Sequence, residues 1–325
     1  MLPIFRNTSP YTVIILLIIT VFLKLHVLLH PVAATPVEGY YIYNHLLHWL
    51  DFVFNGNAFI YTLFAVLNIF SQAIYLNNIC NKYKLFTRHG YLPALSYLLF
   101  SSIYPAFSYF SLPLLVNWFL IWAIGVILGF GQTLQPRKHI FNAGFILCSV
   151  ALLQFSALSY ILFLLLCLVV LRPFNISEWV VAMMGYFTPI YFLACLLYLI
   201  DRMDIIYGLP RLGISLPAKA EWKGMVVISG LIILLFSGVY AMQLQTAKAN
   251  VYVRRNWIAI IICLIVSLPV AIFADNVVKS AWLVLVPALS LLISNAFSLE
   301  KSKWFSNFAF YFSLAFIVYC QWALK

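Results

Sequence analysis

Long apolar runs recur along the whole chain, and they limit what it can fold into. The first, residues 11–29, contains one charged side chain, Lys24, and similar runs continue to residue 324. A helix that crosses a bilayer needs about 20 consecutive apolar residues. Only 8% of the 325 residues are charged, whereas soluble domains carry about 25%. We therefore predict an all-α fold, a polytopic transmembrane helix bundle, because β-barrel strands would alternate in short segments.

The apolar runs divide into about eleven predicted spans. One apolar run, residues 140–171, would make about 48 Å of helix, which is too long for one span and short for two. Gln154 and Ser156 lie in its middle, so we predict two short helices that form a hairpin. The predicted spans are 11–29, 58–79, 91–106, 112–130, 140–153, 157–171, 179–200, 224–243, 257–273, 280–297 and 304–324.

The distribution of basic residues predicts the orientation, since Lys and Arg accumulate on the cytoplasmic side of membrane proteins. With a cytoplasmic N-terminus, twelve of the 19 basic residues lie inside: Arg6, Lys82, Lys84, Arg88, Arg137, Lys138, Arg172, Lys248, Arg254, Arg255, Lys301 and Lys303. The net charge of +11 is thus explained by orientation, and we predict membrane lipids rather than nucleic acid as partners. We expect an N-terminal membrane bundle (residues 1–200), an outer loop (201–223) and a four-span C-terminal bundle (224–325).

Ionisable side chains are concentrated in residues 24–51, which we call the first outer segment. It holds Lys24, four of the six histidines, and the acidic residues Glu38 and Asp51. Two prolines end the preceding helix, and apolar side chains then recur at helical spacing. This pattern predicts an interfacial helix near 40–54, with an apolar face made by Tyr40, Tyr43, Leu46, Leu47 and Leu50.

Two interpretations of these ionisable groups stay open. Lys24 lies within the first span, where ionisable side chains are costly and often functional. Alternatively, Lys24 snorkels outward, and Glu38 and Asp51 are solvated carboxylates beside a plain interfacial helix.

The histidine spacing also allows a metal interpretation. His26 and His30 are four residues apart, and His45 and His48 are three apart, so each pair shares a helix face. Four imidazoles could ligate zinc, copper or iron, yet no HExxH motif is present. We therefore predict no metal site and no firmly implied cofactor, with a divalent metal as the alternative.

Two later segments also contain clustered charges. In the outer loop, Asp201 and Asp204 could reach the same outer cavity as Glu38, while Arg202 and Arg211 could bind a phosphate; the alternative is an ordinary solvated loop. At the segment RPFNISEW, residues 172–179, we predict that Asn175 and Glu178 form a capping box.

The sequence resembles an uncharacterised family of polytopic inner-membrane proteins from Bacteroidota. The resemblance depends on MLPIFRNTSP, NKYKLFTRHGYLPALSYLL and LRPFNISEWVVAMMGYFTPIYF, and it covers most of the chain. It implies a bacterial inner-membrane location.

A more distant, architectural resemblance is to the GT-C glycosyltransferases, which use polyprenyl-phosphate sugars. PVEGYYIYNHLLHWLD occupies the place of their first outer loop, in which an acidic residue commonly supplies the catalytic carboxylate. The resemblance implies Glu38 as base, with Asp51 as the substitute, and Lys24, Arg202 and Arg211 as contacts to the phosphate of a polyprenyl-phosphate-linked sugar. His26, His30, Asp201 and Asp204 are further candidates.

The alternative function is a non-enzymatic scaffold or assembly component, with proteins of the envelope machinery as partners. Transport is disfavoured because Walker A is absent and because the spans after residue 58 contain almost no charged residue, whereas coupled transporters need such groups near the midplane.

Overall fold

The computed structural model describes residues 2–6, 9–133, 135–205, 212–214, 222–247, 249–275, 278, 280–299 and 302–323. These residues form helices and their connections, with no strand among them. The α-helices are α1 (Leu2–Phe5), α2 (Pro10–Leu23), α3 (Leu25–Leu29), α4 (Tyr41–Phe54), α5 (Ala58–Lys82), α6 (Leu92–Phe100), α7 (Leu112–Ile127), α8 (Pro136–Leu153), α9 (Tyr160–Leu171), α10 (Ile176–Leu199), α11 (Trp222–Thr246), α12 (Val251–Ile272), α13 (Val286–Ser298) and α14 (Lys303–Ala323). Short 3-10 helices cover Pro105–Ser108, Phe155–Ser159 and Ala281–Leu285.

The prediction of an all-α chain is confirmed, and its apolar helices are compatible with a membrane protein. By length and composition, five helices of the described chain could cross a bilayer. They are Ala58–Lys82, Ile176–Leu199, Val226–Thr246, Val251–Ile272 and the combined Ala281–Ser298. Shorter apolar helices cover Pro10–Leu23, Leu112–Ile127 and Phe155–Leu171.

One predicted span is much shorter than expected. Instead of residues 91–106, α6 has nine residues, about 14 Å of helix, which is less than the roughly 30 Å of a hydrocarbon core. Every residue of α6 is buried, and the helix packs against α5 and α13. Its apolar composition therefore matches an enclosed position at the centre of the bundle, where Ser96 Oγ donates to Ser290 O at 2.9 Å.

The chain reverses direction near Gln154. α8 ends at Leu153, Gln154 is extended, and α9 begins after a 3-10 turn. α8 and α9 contact each other, and the break between them at Gln154 agrees with the interpretation of residues 140–171 as two short helices. Arg172, directly after α9, donates from Nη1 to Phe130 O, in the α7–α8 connection, at 3.5 Å.

The start of α10 is capped by Asn175, as predicted, but the predicted capping box with Glu178 does not form. Asn175 Oδ1 accepts from Ser177 N at 3.1 Å, so Asn175 is the cap. Glu178 does not complete a capping box; its carboxylate accepts from Arg172 Nη2 at 2.6 Å and from Nε at 3.3 Å. This hydrogen bonding raises the pKa of the Arg172 guanidinium, and the pair joins the α9–α10 connection to α10.

Candidate functional site

A tight turn holds Glu38 in front of α4. Tyr40 N donates to Val37 O at 3.3 Å, and Gly39 has a φ of 84°, as the third residue of a type II turn requires. The Asn44 amide bonds both backbone groups of Val37: Oδ1 accepts from Val37 N at 2.9 Å, and Nδ2 donates to Val37 O at 2.7 Å. The backbone that carries Glu38 is therefore fixed, while its side chain is exposed.

An apolar cavity of about 300 Å³ adjoins this turn. Gly39 and the first residues of α4 form one wall, and α8, the following 3-10 helix and α10 form the others. Apart from the two tyrosines at residues 40 and 41, its lining side chains are aliphatic or phenyl, including Leu152, Phe155 and Ile190. The cavity suits a hydrocarbon chain, and Glu38 directly precedes its lining residue Gly39 in the chain.

α4 has the predicted amphipathic pattern. Tyr43, Leu47 and Leu50 are buried against the bundle. On the other side, Trp49 is 65% exposed and Phe52 is 83% exposed. Large exposed apolar side chains beside polar neighbours are typical of a helix in the membrane interface.

Asp51 lies in the last turn of α4, with an exposed side chain. Its Oδ1 accepts from the hydroxyl of Tyr61 in α5 at 2.6 Å. Tyr61 is fully buried and packs against Phe54 and Phe110, with ring centroids 5.2 and 6.0 Å away. Asp51 therefore links α4 to α5 through Oδ1. A substrate would contact its second carboxylate oxygen, Oδ2.

Lys24 separates α2 from α3 and points into the protein. Its side chain is 1% exposed, and Nζ donates to Ser101 O at 2.7 Å and to Ser108 Oγ at 2.6 Å. The interpretation that Lys24 snorkels outward is wrong, because two partners in the α6–α7 connection hold its ammonium inside. Within the described chain, no carboxylate forms an ion pair with Lys24.

The four histidines of the first outer segment are all exposed. His26 and His30 contact each other edge to face, with ring centroids 4.9 Å apart. No group of three or more His, Cys, Asp or Glu side chains suited to a metal occurs among the residues that the structure describes.

The outer-loop candidates are only partly described. Asp201, Arg202 and Asp204 are exposed beyond the end of α10, and Asp201 has a left-handed φ of 57°. Arg211 lies outside the described residues. The structure thus places the described candidates of this loop in accessible positions, without assigning them a ligand.

Sequence reasoning missed Asn44, Ser108 and Gln321. Asn44 positions the Glu38 turn, Ser108 holds Lys24, and Gln321 of α14 donates to Ser102 O at 3.1 Å. Each is a polar residue in a mainly apolar stretch, and that was the only available signal.

Comparison of the chain with protein-family models, curated proteins and solved structures finds no match. Function must therefore be inferred from the arrangement of residues described above.

Proposed function

We propose that this chain is an integral membrane glycosyltransferase that moves a sugar from a polyprenyl-phosphate donor to an acceptor at the outer face of a bacterial inner membrane. The observation that carries the proposal is the apolar cavity of about 300 Å³ beside the fixed turn that bears Glu38. A polyprenyl chain needs an apolar binding surface, and glycosyl transfer needs a carboxylate near the point where that chain ends.

Packing supports the proposed arrangement of eleven alternating helical segments with a cytoplasmic N-terminus. Helix ends assigned to the same side contact each other. On the proposed inner side, Tyr83 OH donates to Gly125 O at 2.7 Å. On the proposed outer side, Gln321 contacts Ser102, and the Glu38 turn meets the α8–α9 connection at the cavity.

The proposed chemistry needs one base and one stabilised leaving group. Glu38 accepts the proton of an acceptor hydroxyl, whose oxygen forms a bond to the anomeric carbon of the sugar. The bond from that carbon to the phosphate oxygen breaks, and polyprenyl phosphate leaves with the electron pair. Asp51 is the substitute base. Arg202 and Arg211 are the proposed cations at the leaving phosphate. Lys24 is left out of this set, because its ammonium is bonded to Ser101 and Ser108, inside the protein.

Paired carboxamide variants test the base. In a deletion strain complemented by each variant, we expect Glu38→Gln to lower activity by about 10² or more, the scale of losing a general base. Asp51→Asn is the parallel variant, because it removes the substitute base, an exposed carboxylate in the same segment. Cell-surface glycan and glycoprotein profiles are the readout, with membrane levels of each variant measured in parallel.

The same experiment decides between the proposed functions. Loss of glycosyl transfer in Asp51→Asn but not in Glu38→Gln would identify Asp51 as the base. Wild-type profiles for both variants would remove the first outer segment as the catalytic site. An unchanged glycan profile in the deletion strain itself would eliminate glycosyl transfer and leave the scaffold function, with envelope proteins as partners.

Filling the cavity tests the donor site separately. Ala194 lines the cavity, whereas Leu196, on the same helix, is 52% exposed. We expect Ala194→Trp to abolish transfer and Leu196→Trp to retain it, since the first indole occupies the space proposed for the chain. Equal activity of the two variants would show that the donor chain lies elsewhere.

Cysteine labelling tests the topology, in a background without the native cysteines. A cysteine at position 203 should react with an impermeant reagent added from the outer side, and one at position 252 should not. The reverse result would invert the arrangement proposed for the helices after residue 140.

A further inference from the structure

A second cavity, of about 270 Å³, is lined by Ser108, the residue that accepts a hydrogen bond from the buried Lys24. It is enclosed by the α2–α3 junction, the connection that follows α6, and the C-terminal end of α14, and it shares no lining residue with the cavity beside Glu38. Leu23 and Val318 give it apolar walls, while His26, Ser108 and Gln321 add polar groups. Its composition thus combines a polar part with an apolar part.

The ammonium of Lys24 lacks a compensating charge in the described chain. Both of its partners, Ser101 O and Ser108 Oγ, are neutral oxygens, although the side chain is 1% exposed. Burying a cation without an anion is strongly unfavourable. An anion bound close to Lys24 would remove this imbalance.

Ser108 connects Lys24 to the cavity. Because its Oγ accepts the hydrogen bond from Lys24, its own hydroxyl hydrogen is available to another acceptor, and Ser108 lines the cavity. Lys24 uses two of its three N–H groups. His26 is an exposed lining residue and supplies a further donor. No acidic residue is among the described residues that line the cavity.

We propose that this cavity binds the phosphate headgroup of an anionic phospholipid. Ser108 and His26 contact the phosphate, Lys24 supplies the positive charge behind Ser108, and an acyl chain lies along Leu23 and Val318. All three enclosing elements end on the outer side in the proposed topology, which is the depth of a lipid headgroup. The inference does not depend on the chemistry proposed for Glu38.

Native mass spectrometry of the full-length protein in detergent provides the test. Phosphatidylglycerol, phosphatidylcholine and inorganic phosphate are titrated separately as probes. We expect phosphatidylglycerol to bind at least about tenfold more tightly than phosphatidylcholine, because Lys24 repels the choline cation of the second lipid and this is the scale of a like-charge contact near a protein surface. Inorganic phosphate alone should not bind, since it lacks the acyl chain.

Variants assign the bound lipid to this cavity. Lys24→Met keeps the length of the side chain and should remove the preference for phosphatidylglycerol, while the matched control Lys82→Met, at an exposed lysine, should keep it. Val318→Trp, at a position that is 68% exposed, narrows the cavity and should reduce lipid binding. It therefore tests whether lipid occupies the cavity even if Lys24→Met does not fold.

The inference would be overturned by unchanged lipid preference in both Lys24→Met and Val318→Trp, by equal affinity for the two lipids, or by binding of inorganic phosphate alone with the affinity of the lipid. Displacement of phosphatidylglycerol by polyprenyl phosphate at equal concentration would also overturn it, because the cavity would then belong to a glycosyl donor.

Discussion

The contact between α8 and α10 depends on two glycines, and adding one methyl group tests it. A Cβ built on Gly185 would lie 2.9 Å from Phe141 Cα and 3.0 Å from Phe141 C, with the Phe141 carbonyl oxygen closer still. Gly144 faces α10 in the same way, since a Cβ built on it would lie 2.8 Å from Ala182 O. These are backbone atoms, which cannot rotate away, so Gly185→Ala must push the helices apart. Small residues allow such close packing in membrane bundles.

The magnitude follows from two opposing effects. Overpacking a close contact costs about 1–3 kcal/mol, whereas Ala is favoured over Gly inside a helix by about 1 kcal/mol. We therefore expect Gly185→Ala to lower the free energy of unfolding by up to about 2 kcal/mol. In the matched control Gly125→Ala, the new Cβ meets only the side chain of Ile79, at 3.0 and 3.2 Å. That side chain can rotate, so the control should be neutral or slightly stabilising.

Thermal unfolding of the purified variants in detergent measures the difference. A loss of 1 kcal/mol shifts the unfolding temperature by about 2–4 °C for chains of roughly 150–250 residues and by less for this longer chain, so Gly185→Ala should unfold up to a few degrees below Gly125→Ala. A Gly185→Ala protein that unfolds at or above the temperature of Gly125→Ala would refute the close approach of α8 and α10.

Three further substitutions test contacts near the candidate site and at the start of α10. Tyr61→Phe should destabilise the protein by about 1 kcal/mol by removing the hydrogen bond to Asp51; a double-mutant cycle with Asp51→Asn should show that the two changes are not additive. Glu178→Gln should lower the free energy of unfolding by about 1–3 kcal/mol, because Arg172 loses a charged acceptor. An unchanged unfolding temperature would show that the ion pair does not stabilise the protein. Asn44→Ala should speed hydrogen exchange of the turn that carries Glu38, and unchanged exchange would show that the turn does not need the amide.

Local patterns predicted the parts of the fold that depend on neighbouring residues. The amphipathic spacing of Tyr43, Leu47 and Leu50 predicted both the existence of α4 and its buried face. The length of residues 140–171 predicted the helix break at Gln154. In each case the deciding interactions lie within one helix or between adjacent helices, where sequence spacing determines geometry.

Long-range contacts were not predictable in this way. Lys24 is buried by Ser101 and Ser108, 77 and 84 residues further along the chain, so its sequence neighbourhood could not show whether it snorkels. Hydropathy also failed to predict that α6 is short and enclosed by protein, because an apolar run has the same composition whether lipid or protein surrounds it. Only the packing of α6 against α5 and α13 separates the two environments.

The structure divides the ionisable residues of the first outer segment between two environments. Lys24 is directed inward, beside a cavity lined by Ser108 and Gln321, whereas Glu38 is exposed beside a different, apolar cavity. Because the two cavities have no lining residue in common, a single ligand contact cannot explain both. Loss of glycosyl transfer in Glu38→Gln with normal phospholipid binding, and loss of lipid preference in Lys24→Met with normal transfer, would establish two independent sites. A variant at either position that abolished both properties would instead indicate one continuous site.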